Sequence, residues 1–83
     1  MTPRFAKPQG LAHRARLRRL FLPRIRPGYR IWSSQRLGLL LGISGSEGYR
    51  HMRQVLDEAG VATETRGVGV SRRIYVTERR AGA

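Results

Sequence analysis

Any chemistry this chain performs must rest on arginine. Sixteen of its seventeen Lys+Arg residues are arginine, set against five Asp+Glu, and the net charge is +12 over 83 residues. A guanidinium is always charged and presents a planar fork of N–H groups, which suits bidentate pairing with phosphates and base edges. A folded body this basic repels itself, so a polyanionic partner is its natural complement. Arginine-rich codon usage would explain the choice of arginine over lysine, but not the net charge. Other chemistries lack their parts. The carboxylates are few and not paired, and His13 and His51 have no evident serine or cysteine to activate. Without cysteine there is no disulfide and no thiolate metal site, and two separated histidines make no metal centre. Gly67-Val68-Gly69-Val70 reads as a hairpin turn and not as a phosphate-binding loop. The expectation is a protein that is not an enzyme and carries no cofactor.

The charge is unevenly spread. Residues 1–46 hold ten basic residues and no acid, whereas 47–83 hold seven basic and five acidic ones. The first half is thus an arginine-rich arm with its helix, and the second has a balanced surface. The length allows one small domain, read as 10–78, between a basic tail at 1–9 and a polar tail at 79–83. Leu37 to Ile43 is the longest aliphatic run, far short of a membrane span. The arginine-rich start is similar in composition to a transit peptide, but no serine precedes Ser33 and three prolines precede residue 24. The expectation is a cytoplasmic protein with no membrane partner.

The elements that must position the arginines centre on Ser44 to Glu78. Ser44 and Glu47 have capping-box spacing. Behind them Tyr49, Met52, Val55, Leu56 and Ala59 recur at three- and four-residue intervals, so one face of a helix is apolar. Gly60 follows where a left-handed stop is needed. Glu47, Arg50, Gln54 and Asp57 fall on the other side, flanked by His51 and Arg53. Val61–Arg66 and Val70–Thr77 then alternate as strands around a turn at Gly67-Val68-Gly69, with Val70, Ile74 and Val76 on one face and Arg73, Tyr75 and Thr77 on the other. Upstream, residues 10–22 read as a helix with Leu11, Ala15 and Phe21 or Leu22 inward, stopped by Pro23. Tyr29 to Trp32 suits a short strand, and Gln35 to Leu41 a buried helix capped by Ser33 or Ser34 and ended near Gly42.

This order, helix, strand, helix, tight turn, helix, hairpin, resembles the winged helix-turn-helix fold of small DNA-binding regulators. Arg36 to Ser44 (R-L-G-L-L-L-G-I-S) resembles that family's second helix and turn. Tyr49 to Val61 (Y-R-H-M-R-Q-V-L-D-E-A-G-V) resembles the recognition helix, and Thr65 to Glu78 (T-R-G-V-G-V-S-R-R-I-Y-V-T-E) the wing. The resemblance covers residues 29–78, and 10–22 can supply the first helix. Two features depart from it. Gly42 and Gly45 together lengthen the turn by one residue, and Gly48 inside the helix costs ~1 kcal/mol against alanine.

The resemblance implies an α+β fold of three helices with a two-stranded C-terminal wing and a basic N-terminal arm. It implies sequence-specific binding of double-stranded DNA by a transcriptional or recombination regulator, and the small size and basic arm fit a phage or mobile-element product. The base-facing residues would be Ser46, Arg50, His51, Arg53 and Gln54, with Arg66, Arg72 and Arg73 on the wing. Arg14, Arg16, Arg18, Arg19, Arg24, Arg26 and Arg30 would supply phosphate contacts from the arm. A homodimer is compatible with this reading. Two other readings remain open: an RNA-binding or ribosome-associated protein, favoured by the acid-free first half, and a winged helix that docks on an acidic protein partner.

Overall fold

The computed structural model describes residues 8–79, apart from the side chains of residues 8, 70 and 79. It is a small α+β domain of three helices and a three-stranded antiparallel sheet. The elements run α1 (Pro8–Phe21), β1 (Arg30–Ser33), α2 (Ser34–Leu41), α3 (Gly45–Glu58), β2 (Val61–Arg66) and β3 (Arg73–Arg79). Short 3₁₀ turns lie at Leu22–Arg24 and Gly69–Ser71. The sheet order is β1-β3-β2, so β3 is central and β1 joins the hairpin as a third strand, beyond the two-stranded wing expected from the sequence.

The starts of α2 and α3 have a visible cause. The Ser33 and Ser44 hydroxyls cap α2 and α3 by accepting from the Arg36 and Glu47 amides, at 3.4 and 3.2 Å. Gly42 ends α2 at φ +72°, and Gly60 follows α3 at φ +69°, a region costly for residues with a Cβ. Gly42, Ile43 and Ser44 make the whole connection between α2 and α3. Gly45 therefore lies in the first turn of α3, and not in the connection as the spacing of the two glycines suggested.

One core joins all the elements. Leu17 and Phe21 from α1, Ile25, Ile31 from β1, Leu37 and Leu41 from α2, Met52, Val55 and Leu56 from α3, and Val61, Ile74 and Val76 from the sheet are all buried. Trp32 meets Phe21 edge-to-face at 5.2 Å, the favoured geometry for two quadrupoles. Two glycines decide how closely the helix pair packs. A Cβ on Gly48 would stand 2.7 Å from the Gly38 amide nitrogen, and one on Gly38 would stand 2.7 Å from the Ile43 carbonyl oxygen. The backbones of α2 and α3 thus touch at this crossing. Gly48 is there for close approach, which outweighs its poor helix propensity.

Three expectations are corrected. In α1, Leu11 and Ala15 face solvent; the inward side is Arg14, Leu17 and Phe21. That helix also begins at Pro8, within the segment read as a tail; residues 1–7 and 80–83 of the two expected tails lie outside the described residues. The second hairpin strand begins at Arg73 instead of Val70, because the backbone of Gly69–Ser71 closes a 3₁₀ turn with Arg72 N–H donating to the Gly69 carbonyl at 3.2 Å. Ile74 and Val76 do share the buried face, with Arg73, Tyr75 and Thr77 opposite.

Candidate nucleic-acid interface

The residues singled out for binding divide into four groups, according to what surrounds them. On α3 the stripe of Met52, Val55 and Leu56 is buried, so Ser46, Arg50 and Gln54 lie on the outward side and all are exposed. Among the described residues the Arg50 side chain has no hydrogen bond, ion pair or ring contact. Gln54 donates to Glu58 Oε1 at 3.3 Å. Arg53 leans toward the sheet, where it donates to the Thr63 hydroxyl and pairs with Asp57 at 3.4 Å. It is therefore engaged within the fold, unlike Arg50.

His51 turns toward α1. Its Nδ1 is 3.2 Å from Arg14 Nη1, and its ring lies 5.6 Å from that of His13. The two histidines, separated in sequence, thus meet at the junction of α1 and α3. Partial burial holds the His51 pKa below its ordinary value, with the Arg14 charge and His13 acting in the same direction. Arg14 itself is only 7 % exposed. It was expected to contact phosphate from the arm, but here its guanidinium is buried and hydrogen-bonded to His51 inside the fold. No sequence pattern marks such an inward arginine on a helix crowded with arginines.

The remaining arm arginines are exposed and differ in how far they are tied down. Arg18 pairs with Glu58 at 3.0 Å. That hydrogen bond, followed by the one from Gln54, lowers the Glu58 pKa. Arg16 and Arg24 donate to the Leu40 and Leu20 carbonyls at 3.4 and 3.0 Å. Arg19, Arg26 and Arg30 make no side-chain hydrogen bond, ion pair or ring contact among the described residues.

The hairpin arginines do not act as one group. Thr65 shares a hydrogen bond of 2.9 Å with the Tyr49 hydroxyl, and Thr63 meets Arg53, so these threonines face α3. The intervening Glu64 and Arg66 must point to the opposite face, since side chains alternate along a strand. Arg66 lies over the Tyr75 ring at 4.6 Å and pairs with Glu64 at 3.3 Å, while Arg73 is its cross-strand partner. Arg72, just before β3, goes the other way. Its guanidinium lies 4.7 Å from the centre of the Tyr49 ring on α3, and its carbonyl accepts from the Ser34 amide at 2.8 Å.

Sequence reasoning omitted one cation beside these. Arg36, exposed in the first turn of α2, stacks over Trp32 at 4.4 Å. Its signal was available: an arginine close behind a serine cap and four residues after a tryptophan. The described residues include no group of three or more His, Cys, Asp or Glu able to hold a metal ion, and no helix long and apolar enough to cross a membrane. Compared with protein-family models, curated proteins and solved structures, the chain gave no match to any of the three.

Proposed function

We propose that this protein binds double-stranded DNA as a winged helix-turn-helix domain, with the N-terminal half of α3 in the major groove, and serves as a small transcriptional or recombination regulator. The observation that carries this reading is the outward face of α3. Arg50 is exposed there beside Ser46, without an intramolecular partner among the described residues, in a chain of net charge +12. A helix presented this way reads base edges, and an arginine pairs bidentately with guanine. The sheet order β1-β3-β2 and the three-residue link between α2 and α3 support the same reading. Arg72, held toward α3 by Tyr49, and Arg36 on α2 are the cations best placed to grip the flanking phosphates.

The test begins with a preferred duplex selected from a random pool, followed by anisotropy titrations across a range of salt. Binding should weaken steeply with salt as counterions are released. Arg50→Ala should weaken the selected duplex by a factor of about 10 and a random duplex much less, since one bidentate base contact is worth ~1–3 kcal/mol. Equal loss on both duplexes, or tighter binding to structured RNA than to any duplex, would overturn the reading.

A further inference from the structure

The sheet has a second cationic face that the duplex reading leaves unused. Ile31, Ile74 and Val76 turn inward to the helices. On the opposite side the register sets Arg30 across from Tyr75, Glu64 also across from Tyr75, and Arg66 across from Arg73. Residues paired in this way share a face, so three arginines from three strands surround one tyrosine. Arg30, Glu64 and Arg66 are exposed, and Arg73 and Tyr75 are half-buried.

The arrangement holds more positive charge than the contacts of the fold use. Like charges directly opposite on a sheet are destabilising, yet Arg66 and Arg73 are cross-strand partners. Among the described residues Glu64 is the sole acid placed among them, and it pairs with Arg66. The guanidinium carbon of Arg66 lies over the Tyr75 ring, 4.6 Å from its centre, so the cation and the ring sit together on this face. Arg30 and Arg73 have no side-chain partner among the described residues. A planar group with cations on either side is the pattern that takes an unpaired base with its phosphates: the base stacks and the phosphates are gripped. A duplex offers no unstacked base to such a surface.

We propose that the open face of the sheet, built by Arg30, Arg66, Arg73 and Tyr75, is a binding surface for single-stranded nucleic acid, separate from the α3 surface. A base stacks on the Arg66–Tyr75 pair, and Arg30 and Arg73 hold the phosphates on its two sides. This goes beyond the duplex reading and does not require it.

The experiment measures binding of labelled oligo-dT and of a blunt hairpin duplex to the full chain. It uses the native protein, Arg73→Glu and Arg50→Ala, all at one salt concentration. Arg73→Glu places an acid opposite Arg66 and should leave the fold intact, which a thermal melt checks. It should weaken oligo-dT binding by a factor of about 10 while changing duplex binding by less than a factor of about 2. Arg50→Ala should do the converse. As a second measurement on the native protein, oligo-dT should shift the ring resonances of Tyr75 more than the amides of α3. If oligo-dT binds equally to Arg73→Glu and the native protein, or shifts only α3, the inference is overturned, whatever Arg50→Ala does to the duplex. Equal losses on both ligands from both variants would also overturn it, because a single diffuse field would then account for all the binding.

Discussion

Replacing Gly48 with alanine separates two opposed contributions to stability. Inside an exposed helix the change would be favourable by ~1 kcal/mol, because alanine is the better helix former. Here the new Cβ would lie 2.7 Å from the Gly38 amide nitrogen and 2.9 Å from the Leu37 carbonyl carbon. Both obstacles are backbone, so no side chain can rotate aside, and α2 and α3 must separate. That separation loosens Leu37 and Leu41 against Met52 and Val55, all of them buried. Overpacking of this kind costs ~1–3 kcal/mol and at times more. With the strain at the upper end and the propensity gain subtracted, a net loss of about 2 kcal/mol is expected, lowering Tm by roughly 8–16 °C in a domain of this size. The assay is thermal and urea unfolding followed by circular dichroism. Gly10→Ala is the control: its Cβ would meet only the ends of side chains, Arg14 Nη1 at 3.4 Å and His51 Cε1 at 3.6 Å. That variant should be neutral or up to ~1 kcal/mol more stable. A Gly48→Ala protein as stable as Gly10→Ala would refute the close helix crossing and the reason given for the glycine.

Two further outcomes follow from the charges. His51 has a folded pKa below its unfolded value of 6.5, so the unfolded chain binds more protons and stability rises with pH in that window. Stability should be fully present above about 6.5 and should fall as the pH drops below it, because a protonated His51 is no longer an acceptor for Arg14 and repels both Arg14 and His13. Arg50 adds to that repulsion and Glu47 opposes it. Melts between neutral and mildly acidic pH check this, and His51→Gln should flatten the profile; an unchanged slope would disprove the assignment. Glu58→Gln removes the ion pair to Arg18, whose side chains are 43 % and 50 % exposed. The loss should therefore be under ~1 kcal/mol and should shrink in added salt.

The elements were legible wherever a local rule set them. The Ser44 cap, the apolar stripe of α3, the stop at Gly60 and the alternation at Ile74 and Val76 each leave a mark within a few residues. What could not be read depended on contacts distant in sequence. Arg14 looks like its neighbours on an arginine-rich helix, and only the placement of His51 on α3 makes it the inward one. The roles of Gly38 and Gly48 likewise emerge only when two helices are set against each other, since alone each is just a poor helix former. Arg66, Arg72 and Arg73 were grouped by proximity in sequence. The 3₁₀ turn at Gly69–Ser71 and the pleat send Arg72 toward α3 and the other two away from it. The third strand was missed as a sheet member because four residues carry no pairing information of their own.

If α3 enters a groove as proposed, the disposition of acids along it limits which part can do so. The macrodipole puts partial negative charge at the C-terminus, where acids are unfavourable and bases welcome. Yet the last turn carries Asp57 and Glu58 and no basic residue. Both are compensated from outside that turn, Asp57 by Arg53 and Glu58 by Arg18. Those two arginines are thereby spent on holding the C-terminal half to its surroundings, and the half itself offers acids to any approaching phosphate. At the other end the dipole is positive and Arg50 is uncommitted, with Glu47 as the one acid of the first turn. Under the proposed duplex-binding reading, charge, dipole and exposure all favour the N-terminal half as the side turned to the DNA. The C-terminal half is better suited to anchoring α1 through Arg18 and β2 through Arg53, so that the first half is held at a fixed angle.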